Sequence, residues 1–184
     1  MQLKFYFDQT RCIGCETCVV ACKDWNDVPA GPASWRRLSV IERGKYPDVF
    51  VAFLTTSCYH CAQPSCVPAC PVGAISKRAE DGIVVVNREL CLGHDNCDLC
   101  LQSCPYHAPQ FGTGNNAKMQ KCDFCLDRWA QGKKPICVNA CLTRALGAGP
   151  ADELEEKYGN KKEAVGFTYV AEIAPSIIFK PKTV

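Results

Sequence analysis

Sixteen cysteines stand in this 184-residue chain, in four groups of four with none left over. The first group is CIGCETCVVAC (Cys12, Cys15, Cys18, Cys22) and the second CYHCAQPSCVPACP (Cys58, Cys61, Cys66, Cys70). The third is CLGHDNCDLCLQSCP (Cys91, Cys97, Cys100, Cys104) and the fourth CDFCLDRWAQGKKPICVNAC (Cys122, Cys125, Cys137, Cys141). Every group closes with C-x3-C, an internal repeat. Four thiolates so spaced suit an iron–sulfur cubane, which is much larger than one metal ion. In C-x2-C-x2-C the backbone loops around the cluster and supplies three corners. The fourth cysteine starts or sits on a helix, faces away and ligates the other cluster of a pair. Group one has the undisturbed spacing, and Cys70-Pro71 and Cys104-Pro105 carry the proline that closes such runs. The expectation is four [4Fe–4S] clusters on these sixteen thiolates.

Two plainer uses of cysteine compete with this one. A disulfide framework belongs to short secreted chains. The stretch MQLKFYFDQTRC has no basic segment followed by an apolar run and a cleavage site. The default expectation is therefore a cytoplasmic protein with reduced thiols, export beside a partner that carries a twin-arginine signal being the alternative. Zinc sites also use C-x2-C pairs, but as two separated knuckles rather than four cysteines in one short run closed by Cys-Pro.

Two groups depart from the simple run. Group three has C-x5-C where C-x2-C is usual, which puts Gly93, His94, Asp95 and Asn96 in a widened loop. His94 stands where a cysteine would otherwise fall relative to Cys97, so either Cys91 or His94 is a candidate ligand. Cys91 is favoured because it gives four sets of four thiolates, and a three-iron cluster is the other outcome at this site. Group four stretches its second gap over residues 126–136, so Cys137 arrives from a separate segment. His60 lies between Cys58 and Cys61 and reads as a packing or potential-tuning residue, while His107 follows Cys104-Pro105-Tyr106. Lys23, Arg128, Lys133 and Lys134 are candidates for offsetting cluster charge.

The elements that must position these thiols read as short strands and helices. Residues 74–77 and 83–86 form a hairpin around the turn Glu80-Asp81-Gly82, between groups two and three. Cysteine group, hairpin, cysteine group is the plan of a two-cluster ferredoxin. Residues 4–7 are strand-like before group one, and Arg144-Ala145-Leu146 with a Gly-rich turn follow group four. The fold class is therefore α+β, with two nested ferredoxin-like units. Residues 1–57 and 105–150 make the outer unit, 58–104 the central unit, and 151–184 a C-terminal extension. VPAGPASWRR reads as a surface loop, residues 49–55 as a strand, 151–158 as a short helix, and 176–179 as β-like. Trp25 and Trp35 are either core packing or interface anchors.

Composition closes off other functions. A net charge of +2 gives no basic field for nucleic acid, and no apolar run is long enough to cross a bilayer. There is no G-x-G-x-x-G, no P-loop, and no catalytic set apart from the clusters. Near neutrality also weighs against a free, acidic polyferredoxin, the alternative electron carrier.

Beyond the cysteines, CIGCETCVVACKDWND, CYHCAQPSCVPACPVGAISKRAEDGIVVV, CPYHAPQF and KCDFCLDRWAQGKKPICVNACLTRALGAGPADELEEKYGN resemble the iron–sulfur subunit of the dimethyl sulfoxide reductase family over nearly the whole chain. The resemblance implies a non-catalytic electron-transfer subunit with a large molybdenum- or tungsten-pterin catalytic partner. A membrane quinone-reactive or flavin subunit is a further candidate partner. It also implies crosswise ligation: Cys12, Cys15, Cys18 with Cys141; Cys122, Cys125, Cys137 with Cys22; Cys58, Cys61, Cys66 with Cys104; and Cys91, Cys97, Cys100 with Cys70. The widened group three and Leu142, which stands where proline is common, depart from the family pattern.

Overall fold

Residues 1–183 are described by the computed structural model, a mixed α+β fold of short helices and three small sheets. The N-terminal run LKFYFD forms β1 (Leu3–Asp8), buried along almost its whole length. That burial explains its near-continuous apolar sequence, because a strand flanked on both edges and covered on both faces need not alternate. Its neighbours are β6 (Leu146–Pro150), antiparallel, and β7 (Ile177–Lys180), parallel. The two ends of the chain thus meet in one sheet, with Phe7 opposite Leu146 and Phe5 opposite Ile177.

Strand β6 corrects the expected Gly-rich turn after Leu146. Its glycines lie within the strand, and at Gly147 the Tyr6 side chain of β1 crowds that edge. A Cβ on Gly147 would stand 3.3 Å from the Tyr6 Cβ. Helix α5 (Ala151–Tyr158) follows and docks by stacking Tyr158 on Tyr6, with ring centroids 3.8 Å apart, and by a Lys4–Glu155 ion pair.

A second correction concerns the stretch between groups one and two. Arg36 and Arg37, at the end of the expected surface loop, begin β2 (Arg36–Lys45), which pairs antiparallel with β3 (Asp48–Ser57). Its sequence, RRLSVIERGK, is polar because most of the strand is exposed, so apolar patterning does not mark it. The expected hairpin between groups two and three is present as β4 (Ile75–Lys77) and β5 (Val84–Val86), with Gly82 in the turn at φ +72.

Helix α1 (Thr17–Trp25) carries Cys18 and Cys22 one turn apart on its buried face. Three single-turn helices serve the other groups: α2 (Leu99–Gln102), α3 (Leu126–Trp129) and α4 (Ile136–Asn139). The fourth cysteines are not all helical, as the run had implied. Cys22 lies in α1, but Cys104 and Cys141 follow the ends of α2 and α4, and Cys70 closes a turn. The core joins Leu3, Phe5 and Phe7 of β1 to Tyr59, Phe124 and Phe179, with Phe5 and Phe124 rings 4.5 Å apart. Among the described residues no helix is long and apolar enough to cross a membrane.

Candidate iron–sulfur cluster sites

Three cavities are each framed by four cysteines, three from one sequence group and one from another. Cys12, Cys15, Cys18 and Cys141 line one. Cys58, Cys61, Cys66 and Cys104 line a second. Cys70, Cys91, Cys97 and Cys100 line a third. The remaining thiols, Cys22, Cys122, Cys125 and Cys137, are all buried and act on one another electrostatically.

The local chain explains each placement. Before α1, the loop turns through Gly14 at φ +72 and Glu16 at φ +57. A Cβ on Gly14 would lie 2.4 Å from the Phe53 ring, so only glycine lets this loop press onto β3. In group three the widened loop is latched from outside. Asp95 Oδ2 accepts the Asn116 N–H at 2.7 Å, Asn96 Nδ2 donates to Asn116 Oδ1 at 3.1 Å, and Gly93 at φ +87 passes against Asn116. His94 is not among the residues lining that cavity; its ring lies 4.8 Å from that of Phe111. In group four the long gap folds as α3 and a turn, held by Arg128 Nε donating to the Lys134 carbonyl at 2.9 Å, which brings Cys137 back.

One hydrogen bond recurs four residues after the last cysteine of each group. Backbone N–H groups of Ala74, Ala108 and Ala145 donate to the sulfurs of Cys70, Cys104 and Cys141 at 3.2, 3.5 and 3.2 Å. In group one the helix continues, so the Asn26 N–H goes to the Cys22 carbonyl, and the Asn26 side chain donates to that carbonyl at 2.8 Å and to the Cys22 sulfur at 3.7 Å. Such donors favour the charged sulfur and tune a bound cluster.

Burial pushes most of the thiols up: Cys22, Cys61 and Cys66 to about 12 and Cys100 to about 11, with neighbouring thiols adding to the effect. At these positions burial opposes the thiolate that metal binding supplies. Cys15 moves the other way. It is exposed, and the Thr17 hydroxyl at 3.4 Å holds its thiol below the ordinary range. Electrostatic contact also runs from set to set, Cys18 with Cys137, Cys122 with Cys58, and Cys66 with Cys100. The four sets therefore form one chain.

This donor geometry fits a polynuclear group. A zinc ion needs four sulfurs about 2.3 Å from a single point. Here the thiols surround a space, and among the described residues no three His, Cys, Asp or Glu groups close on a point as one ion requires.

Comparison with known proteins agrees. The 4Fe-4S dicluster domain matches residues 49–150, more than half of the chain, and a second 4Fe-4S dicluster domain matches residues 11–74. The chain is 42% identical to the B subunit of the anaerobic dimethyl sulfoxide reductase of Escherichia coli (strain K12), over 98% of its own length and 89% of that relative's. It is 41% identical to the thiosulfate reductase electron transfer subunit PhsB of Salmonella typhi, over 85% and 80%. The chain belongs to the iron–sulfur subunits of the dimethyl sulfoxide reductase family. Its cofactors are iron–sulfur clusters and its work is electron transfer.

Of the charged residues singled out in the sequence, Lys133 and Lys134 are exposed and Lys23 donates to the Gly31 carbonyl, whereas Arg128 is buried and stacks on Trp25, whose Nε1 donates to Asp127. Trp35 likewise donates within the chain, to Gln120. His60 is buried, and burial first and Lys121 second hold it well below its ordinary range; its Nδ1 accepts the Val84 N–H at 3.0 Å. His107 is exposed and its N–H donates to the Cys104 carbonyl. The cations at the heart of the thiol array are Arg36 and Lys121, which sequence reasoning missed. Only the adjacency of Lys121 to Cys122 was a usable signal; Arg36 stands far from any cysteine in sequence.

Proposed function

We propose that this chain holds four [4Fe–4S] clusters, one on each mixed set of cysteines. It relays electrons between a molybdenum- or tungsten-pterin catalytic subunit and an acceptor or donor, with no reaction catalysed by the chain itself. The observation that carries this is the crosswise supply of thiols to the three cavities. A group that lends one cysteine to its neighbour's cavity must lie beside it. Cys18 and Cys22, four residues apart on α1, belong to different sets separated by about one helical turn of 5.4 Å. When bound, each cluster takes up and gives back one electron at a time, so four in series divide two-electron chemistry into single steps. In this reading Cys91 rather than His94 completes the set with Cys97, Cys100 and Cys70.

The same reading assigns residues 1–57 and 105–150 to an outer ferredoxin-like unit, 58–104 to a central one, and 151–184 to an extension that contributes β7. The catalytic partner follows from the relatives, whose names mark them as components of reductases. The test is iron and acid-labile sulfide per chain on anaerobically purified protein, with EPR of the reduced sample. About sixteen of each, with spectra of interacting clusters, is expected. About fifteen iron with a three-iron signal would reduce the Cys70, Cys91, Cys97 and Cys100 site to a smaller cluster. Stoichiometric zinc with little iron would overturn the relay. A fully loaded chain that stayed monomeric beside every large pterin protein would overturn the partner.

A further inference from the structure

Two buried cations lie between the thiol sets, and among the described residues neither forms an ion pair. Arg36 is 3% exposed. Its guanidinium donates to Thr55 Oγ1 and Ser57 Oγ, both at 3.1 Å, and lies 5.0 Å from the Phe5 ring centroid. Its Nε is buried with no partner. Thr55 also lines the cavity of Cys12, Cys15, Cys18 and Cys141. Lys121 is 2% exposed and lines the cavity of Cys58, Cys61, Cys66 and Cys104. Its ammonium donates to the carbonyls of Val84 and Cys122.

An unpaired buried charge is strongly unfavourable. The nearby acidic group, Asp123, accepts the Cys125 N–H at 2.9 Å and pairs with neither cation. Lys121 lines a thiol cavity itself, and Arg36 reaches the neighbouring one through Thr55. Burial alone would make Arg36 give up its proton more readily, yet Cys137, Cys18, Cys122 and Cys22 hold it above its ordinary range. Other basic groups near the thiols, Lys77 and Arg37, donate to carbonyls where solvent shares the load.

We propose that Arg36 and Lys121 are the resident counter-cations of the array, and that they raise the reduction potentials of the clusters beside them. Arg36 serves the sets of Cys12, Cys15, Cys18, Cys141 and of Cys22, Cys122, Cys125, Cys137. Lys121 serves the latter and the set of Cys58, Cys61, Cys66, Cys104. The inference rests on the cluster reading above. Reduction adds one electron and makes or breaks no bond to either residue. The added negative charge is stabilised by a fixed cation, so neutralising that cation disfavours the reduced form.

The experiment is an EPR-monitored redox titration with dithionite on the full chain. It compares wild type with Arg36→Met, Lys121→Met, the charge-keeping Arg36→Lys and Lys121→Arg, and the exposed control Lys133→Met. Each neutral variant is expected to make at least one reduction step tenfold less favourable, about 59 mV for a one-electron couple. The charge-keeping variants should stay within threefold and the control unchanged. Neutral variants with full iron and less than twofold change would overturn the proposal. Where a methionine variant loses iron, Arg36→Gln or Lys121→Gln, which keeps a hydrogen-bond donor, is titrated in its place. Iron lost from every neutral variant but kept by the charge-keeping ones supports a charge requirement, whereas iron lost from both kinds means shape rather than charge and overturns it. Wild type lacking about sixteen iron would instead fail the cluster reading itself.

Discussion

The interior thiol set, Cys22, Cys122, Cys125 and Cys137, and the outlying set, Cys70, Cys91, Cys97 and Cys100, place the same donors in opposite surroundings. All four interior thiols are buried, while three of the outlying four are half-buried. The outlying cavity is rimmed by Ile75, Val86 and Met119, with Leu92 and Leu99 exposed nearby. Its half-buried thiols leave that set open to screening by solvent. The interior set is closed off, and the buried cations Arg36 and Lys121 lie near it. Burial raises the cost of each added electron, and a fixed cation offsets that cost. Position in the fold, rather than ligand type, therefore separates the two sites.

The sharpest way to break this comparison is to remove one thiol from each set. Cys122→Ala should lose about four iron and destabilise the whole chain, because the vacated site opens into the core. Cys91→Ala should lose about one iron, gain a three-iron EPR signal and keep its circular dichroism. Equal losses would mean that the two sites are structurally equivalent.

Next in size is the packing around them. Phe124→Ala, at a fully buried ring beside the interior set, should cost about 3–5 kcal/mol in denaturant unfolding of the loaded chain. Leu99→Ala, exposed beside the outlying set, should stay within about 0.5 kcal/mol.

A smaller effect is expected from Asn26→Leu. It removes the one side-chain donor that replaces a backbone N–H in the sulfur hydrogen-bond repeat. The contact to sulfur and a second to the Cys22 carbonyl are at stake, about 0.5–1.5 kcal/mol each, read as a lowered potential at the interior set with iron content unchanged. Ala74, Ala108 and Ala145 make the same bond through the backbone and would not yield to side-chain substitution.

The smallest effect is at His94. Its ring packs on Phe111 outside the cavity, so His94→Ala should leave iron and sulfide content unchanged. Loss of iron there, with Cys91→Ala silent, would reverse the assignment of the fourth ligand.

Legibility in the sequence followed the strength of local signals. The β4–β5 hairpin was readable because Asp81-Gly82 stands between two strand-like segments, and α5 because Pro150 precedes it and its first turn is acidic. Strand β2 was not, since Arg37, Glu42 and Arg43 interrupt the apolar alternation that a strand reading needs. Strand β6 was hidden by its glycines, which read as a turn until Tyr6 of β1 is set against Gly147. The tail read as β-like, but nothing local told that it would run parallel to β1.

The sequence by itself determined the chemistry: sixteen thiols in four spaced groups, because ligand type and short-range spacing are covalent facts. It also determined that the groups repeat, and so that they act alike. Only the tertiary structure decided which counter-charges the thiols face. Arg36 and Lys121 reach the array through the β2–β3 pairing and the approach of the segment around Cys122 to β5, contacts between residues 19 to 37 positions apart. A buried charge is stabilised by whatever the fold brings within a few ångströms, and chain separation carries no information about that distance.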